Sequence, residues 1–302
     1  MTLTAIVLLV IAAILHASWN TLGKHRHPSL AFFFVANIAA TIMLIPILVM
    51  HIHLISNIPQ SVWILLLFAG LSQAVYYMGL ANAYRLGDMS LAYPLARSSP
   101  VLILLVATFI LGKSNEIGIG CVLGIILIVG GSFLLPMRHL RDIHLANYLN
   151  PVYLLALVAA IGTTGYTLID DAALEILRQT RHNEFTPFGA ALIYLVFEAG
   201  TSSLFIGLMV LMQPNERRAL SLVFKTQFKM NVLTGMIIYV TYGLVLWSMA
   251  YADNVSYIAA FRQLSIPLGV LMGVGILKEP KTQPKLVGTC SIFIGLILVA
   301  LY

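Results

Sequence analysis

Ten apolar runs, each about long enough to cross a lipid bilayer, take up nearly the whole of this chain. They fall at about residues 2–22, 30–50, 62–84, 90–111, 117–135, 152–172, 187–212, 231–251, 255–277 and 285–302. A helix needs about 20 apolar residues to span a hydrocarbon core of about 30 Å. In lipid only helices and closed barrels satisfy their own backbone hydrogen bonds. A barrel strand alternates apolar and polar residues over roughly ten positions, whereas these runs are apolar on all sides. The chain therefore reads as an all-α integral membrane protein of ten transmembrane helices. Charge confirms the solvent: 9% of the 302 residues are charged and 60% are apolar, against about 25% charged in an ordinary soluble domain. A soluble enzyme, a disordered chain and a nucleic-acid-binding domain are excluded. The connectors, longest near 136–150, 173–186 and 213–230, are too short for a soluble domain. Residues 2–15 have no basic segment before them and read as a retained first helix rather than a signal peptide.

The net charge of +6 reads as cationic loops held on one side of the membrane. With ten crossings, the loops on the side of Met1 carry Lys113, Arg178 and Arg181. The opposite loops carry Lys24, Arg26, Arg85, Arg138, Arg141, Arg217, Arg218, Lys225, Lys229, Lys278, Lys281 and Lys285. The positive-inside rule then puts both termini outside, in a bacterial-type inner membrane. A weak internal repeat runs at an offset of 167: Ala83-Tyr84 recurs as Ala250-Tyr251, Ala92 as Ala259 and Pro100 as Pro267. Five helices is an odd number, so a second copy enters from the opposite side. The expectation is two inverted five-helix repeats, residues 1–140 and 150–302, with a site near the midplane between them.

Ionisable groups inside the hydrocarbon are costly and mark function by default. Arg97, about eight residues into the fourth run, and Arg262, about eight into the ninth, sit near mid-depth, as does Glu198 in the seventh; at 1.5 Å per residue this is ~12–16 Å in. Asp170 and Asp171 close the sixth run. A polar cavity is one reading; the alternative is an internal salt bridge between Glu198 and one arginine. One acid cannot neutralise two arginines, and the remaining guanidinium suits a carboxylate or phosphate. Pro94 and Pro100 bracket Arg97, and Pro267 follows Arg262; proline breaks a helix, which membranes tolerate where the freed groups line a cavity. His16, Trp19, Asn20, Gln73, Tyr76, Tyr77, Tyr166, Tyr242, Trp247 and Gln263 are candidate lining residues, with packing seams and the interfacial aromatic belt as their structural alternative. His16, Glu198 and Asp170 are candidate proton carriers. Gly120 with Gly124, and Gly269 with Gly273, suggest close helix packing.

Other patterns carry no chemistry. Cys121 and Cys290 lie within apolar runs and receive no redox role. Gly112-Lys113-Ser114 resembles the end of a phosphate loop, but the required earlier glycine is replaced by Ala107. The pairs His25/His27 and His51/His53 are too sparse for a metal site. No nucleophile–base pairing or metal-ligand cluster in the helices supports an enzyme.

Several stretches together resemble the EamA branch of the drug/metabolite transporter superfamily, over essentially the whole chain. They are His16-Ala17-Ser18-Trp19-Asn20 with Lys24, Ala83 to Ser90 running into Tyr93-Pro94-Leu95-Ala96-Arg97, Gly165 to Asp170, and Ala259 to Ser265. Lys278-Glu279 resembles the acid that closes an EamA repeat, while the first repeat reads Lys113-Ser114-Asn115-Glu116 with its acid displaced. Gln263 stands where relatives often carry Glu, and the helix 1 acid of small multidrug relatives is replaced by His16 and Asn20. The resemblance implies a secondary transporter working by alternating access, not an enzyme, with a small-molecule substrate, a proton as possible coupling ion, membrane lipids around it and no cofactor, as a monomer or homodimer. Ten-helix relatives are usually drawn with both termini cytoplasmic, opposite to the loop charges here. The leading expectation is export of an amino-acid-like or anionic metabolite. The rivals are a carrier of lipophilic or quaternary cations, a flippase for lipid-linked headgroups, and a scaffold that transports nothing.

Overall fold

The computed structural model describes residues 1–23, 29–86, 96–112, 117–135, 137, 151–180, 185–275 and 282–301, the side chains of 19–23, 84 and 273 apart. The described residues form helices and the turns between them: α1 Leu3–Gly23, α2 Leu30–Met50, α3 Gln60–Leu86, α4 Ser99–Leu105, α5 Ile119–Leu134, α6 Pro151–Gln179, α7 Pro187–Met212, α8 Pro214–Thr226, α9 Phe228–Ser248, α10 Val255–Phe261, α11 Ser265–Gly275 and α12 Gln283–Leu301. Among the described residues seven helical spans are long and apolar enough to cross a membrane, and Leu3–Ser18, Ser99–Ile110 and Ile119–Leu134 are shorter apolar helices.

Local chemistry sets the helix starts. Ser29 caps α2 by accepting the Phe32 N–H at 3.1 Å. Thr186 caps α7 through the Gly189 N–H at 3.0 Å, with Pro187 at the first position; Asn254 caps α10 through Ser256 N–H at 2.9 Å. A short polar side chain just outside each helix satisfies a donor that the helix leaves orphaned. The outward faces are apolar: Ile42, Met43, Ile45 and Val49 on α2 are all exposed. Polar side chains are turned inward, with Asn37, Gln73, Asp170 and Glu198 buried. Exposed apolar faces around a polar interior suit lipid as solvent.

Two glycine seams draw helices together. A Cβ on Gly124 would lie 2.6 Å from the Gly295 carbonyl oxygen, and one on Gly131 2.6 Å from that of Gly288; α5 and α12 therefore meet backbone to backbone. Gly131 joins Gly124 in this seam, and Gly269 meets nothing within 4 Å. The second seam joins α3 and α6. There a Cβ on Gly162 would lie 2.6 Å from the Tyr76 backbone N, and one on Gly79 2.7 Å from that of Ala159.

Four expectations change. The fourth run is not one smooth helix at Arg97: Ala96 is helical, Arg97 and Ser98 form a turn, and α4 begins at Ser99 with Pro100 in its first turn; residues 87–95, with Pro94, lie outside the described residues. The ninth run is broken by a 3₁₀ turn over Arg262–Leu264. The sixth continues to Gln179, so Asp170 and Asp171 lie within its body rather than at its end. The connector at 213–230 holds α8, which opens with Pro214 and carries Glu216 in its first turn. Beyond α4, the chain widens into a π-helical turn at Val106–Ile110 and stops at Gly112, whose φ of 68° is left-handed and suits a residue without Cβ.

Candidate functional site

The α3–α6 seam brings two tyrosines together. With glycine at 79 and 162 the helices close, and the rings of Tyr76 and Tyr166 meet edge to face at 6.0 Å between centroids. The aromatic chain extends both ways. Tyr76 packs on Tyr77 at 4.9 Å and Tyr77 on Phe33 at 4.6 Å; Tyr166 meets Tyr242 of α9 edge-on at 5.7 Å. These rings wall a cavity of about 80 Å³, room for a small polar solute or a handful of waters.

Both arginines face this cavity, each from the break in its helix. Arg262 is half-buried, its Cζ 5.6 Å above the centre of the Tyr242 ring, and its Nη2 donates to the Tyr166 hydroxyl at 3.5 Å. A guanidinium over a phenol face is attracted by the ring quadrupole. Arg97 Nη2 donates to His16 Nε2. Arginine has no acceptor, so His16 is the acceptor here and its ring proton belongs on Nδ1. Gln73 and the α9 residues Tyr239, Thr241 and Tyr242 complete the polar wall, and among the described residues no Asp or Glu lines it.

The acids lie one layer behind. Glu198 is fully buried; its Oε1 accepts from Gln73 Nε2 at 2.9 Å, while Oε2 has no partner. Neither oxygen of Glu198 is hydrogen-bonded to Arg97 or Arg262. Asp170, also fully buried, accepts from Tyr194 at 2.8 Å and from the Tyr242 hydroxyl. Each acid is thus separated from the cavity by a side chain that lines it: Gln73 before Glu198, Tyr242 before Asp170.

Of the expected lining residues, His16, Gln73, Tyr76, Tyr77, Arg97, Tyr166, Tyr242 and Arg262 share the cavity. Gln263 does not; its Nε2 turns back to the Ala259 carbonyl at 3.4 Å and its Oε1 is buried without a partner. Trp247 packs on Phe188 away from the cavity. The side chains of Trp19 and Asn20 lie outside the described residues. Residues not foreseen are Tyr239, Asn37 and Ser202. The Tyr239 hydroxyl donates to Asn37 Oδ1 and is 3.1 Å from Ser202 Oγ, which donates to the same Asn37 oxygen at 3.0 Å. An uncharged polar residue in an apolar run was the available signal, since Asn37 needs partners in lipid. Among the described residues no group of three or more His, Cys, Asp or Glu is placed to hold a metal.

The family model for EamA-like transporters matches residues 3–137, the stretch that supplies α1 to α5, including His16, Tyr77 and Arg97. That match covers less than half of the 302-residue chain. A solved crystal structure aligns over 100% of this chain and 98% of its own, at 17% identity and a TM-score of 0.68. At that identity the likeness shows a fold shared from end to end, and no more. None of the curated proteins matches the sequence.

Proposed function

We propose that the chain is a secondary transporter that carries a small metabolite bearing a carboxylate or phosphate, with an amino acid as leading candidate, by alternating access and in the outward direction. One observation carries this reading: two arginines from two broken helices enter one cavity whose described wall holds no acid. In a site of low dielectric two guanidiniums facing one cavity favour an anion. The tyrosine rings give apolar faces and hydroxyls for the rest of the solute. Arg97 and Arg262 bind the anion. Glu198 and Asp170, behind Gln73 and Tyr242, take the coupling proton, and His16 reports the state of Arg97 through its hydrogen bond. Gln263, turned away in this state, belongs to the site only if the 262–264 turn rotates.

The seven long spans and three shorter apolar helices are consistent with ten crossings; the offset-167 repeat and the loop charges are what support two inverted repeats, 1–140 and 150–302, with both termini outside. The observation that would favour a quaternary cation is the aromatic wall. Arg262 already occupies the face of Tyr242 and repels a second cation. A thermal-shift screen of the purified chain separates the two: amino acids and other carboxylates raise Tm, and tetraalkylammonium ions do not. Stabilisation by the ammonium ions alone replaces the anion reading with the cation carrier.

A further inference from the structure

The connector helix α8 lies across one end of the bundle. It joins the end of α7 at Met212 to the start of α9 at Phe228. Its Glu216 bonds to the start of α2, at the Ala31 N–H, and to the end of α3, at Arg85. Four long apolar helices therefore begin or end at the level of α8, which places it where hydrocarbon gives way to headgroups. The two faces of α8 differ. Glu216 and Val223 are buried against the bundle. Arg217, Arg218, Lys225 and, in the first turn of α9, Lys229 are exposed. No acid occurs between 217 and 229, so nothing in that stretch offsets the four charges. Beside them stands an exposed aromatic pair: Phe224 and Phe228 stack at 5.9 Å between centroids and are 49% and 48% exposed. Arg217 and Phe224 are seven residues apart, about two turns, and share a side of the helix. Rings on a surface suit hydrocarbon, and long cationic side chains next to them reach up to phosphate.

We propose that the outer face of α8 and the first turn of α9 bind anionic glycerophospholipids, with Arg217, Arg218, Lys225 and Lys229 on the headgroups and Phe224 and Phe228 against the upper acyl chains. Charge selects the occupant. A zwitterionic lipid or an apolar partner helix covers the rings but leaves four cations uncompensated. Free phosphate meets the cations but leaves the rings in water. Lipid on the outer face and Glu216 on the inner face hold α8 between them, so the lipid steadies the ends of α2 and α3 that Glu216 bonds. This contact does not depend on which solute the polar cavity carries.

The test is native mass spectrometry on the full chain, delipidated in detergent and offered equal amounts of palmitoyl-oleoyl phosphatidylglycerol and palmitoyl-oleoyl phosphatidylcholine. The two lipids share their acyl chains and differ in net charge. The expected result is a preference for phosphatidylglycerol of about fivefold or more, the contribution of a single basic residue at an anionic surface. A chain carrying Arg217→Gln, Arg218→Gln, Lys225→Gln and Lys229→Gln loses the preference; all four side chains are exposed, so the fold is kept. A second chain carrying Lys278→Gln, Lys281→Gln and Lys285→Gln, which removes a basic cluster outside α8, keeps it. Equal binding of the two lipids by the unaltered chain overturns the proposal, as does an undiminished preference in the fourfold variant. So does a preference lost as fully in the threefold variant, because net charge rather than α8 then attracts the lipid.

Discussion

Arg262 and Glu198 show how far single residues could be read. A charge inside an apolar run stands out because lipid makes it costly, and both residues, with Arg97 and Asp170, cluster around one cavity. Their division into layers was not legible. Sequence spacing does not tell whether an acid faces a solute or sits behind a glutamine, because the answer depends on how α3 and α7 are rotated against each other. Asn37 and Tyr239 escaped for a related reason: they are uncharged, and their meaning comes from being 202 residues apart and hydrogen-bonded. The buried position of Glu198 yields a discriminating variant. Glu198→Gln keeps an oxygen for the Gln73 amide, so folding and Tm should change little. Loss of its titratable group should flatten the dependence of transport on pH. A folded Glu198→Gln chain with the unaltered pH profile assigns the coupling elsewhere.

Among the elements, the apolar spans followed from hydropathy, whereas the breaks at Arg97 and Arg262 were only hinted at by Pro100 and Pro267. A proline removes one hydrogen bond; whether the chain then kinks or breaks is decided by its neighbours. Helix α8 was missed because its connector is amphipathic rather than apolar, although Pro214 followed by Glu216 is a common helix opening. It has a structural task. The buried Glu216 carboxylate accepts the Ala31 N–H at 2.9 Å with Oε2, satisfying an orphan donor in the first turn of α2, and Oε1 receives Arg85 from the end of α3 at 3.5 Å. The two bonds are unequal. The Arg85 side chain is 54% exposed, and a solvated ion pair is worth about 0–1 kcal/mol. The buried charge-assisted bond to Ala31 is worth about 1.5–3 kcal/mol. Glu216→Ala should therefore lower Tm by several degrees, and Arg85→Ala by much less, in thermal unfolding of the purified chain. Equal losses contradict this ordering.

For the whole molecule, the solvent and the fold class were set by the scarcity of charge, and the end-to-end likeness to a solved structure concerns that same fold. Orientation rests on a separate argument, the crowding of basic residues in alternate loops. A reporter fused after Tyr302 checks it: the loop charges predict a C-terminus outside the cytoplasm, and a cytoplasmic signal reverses the orientation. The central claim is that two guanidiniums share one anionic solute. It is tested most directly by amino-acid counterflow in proteoliposomes with the unaltered chain, Arg97→Ala and Arg262→Ala, each inserted at equal amounts. Removing a buried charge-assisted partner costs about 1.5–3 kcal/mol, so each variant should lose about tenfold or more of the counterflow. Unchanged counterflow in both folded variants would contradict an anion site between Arg97 and Arg262.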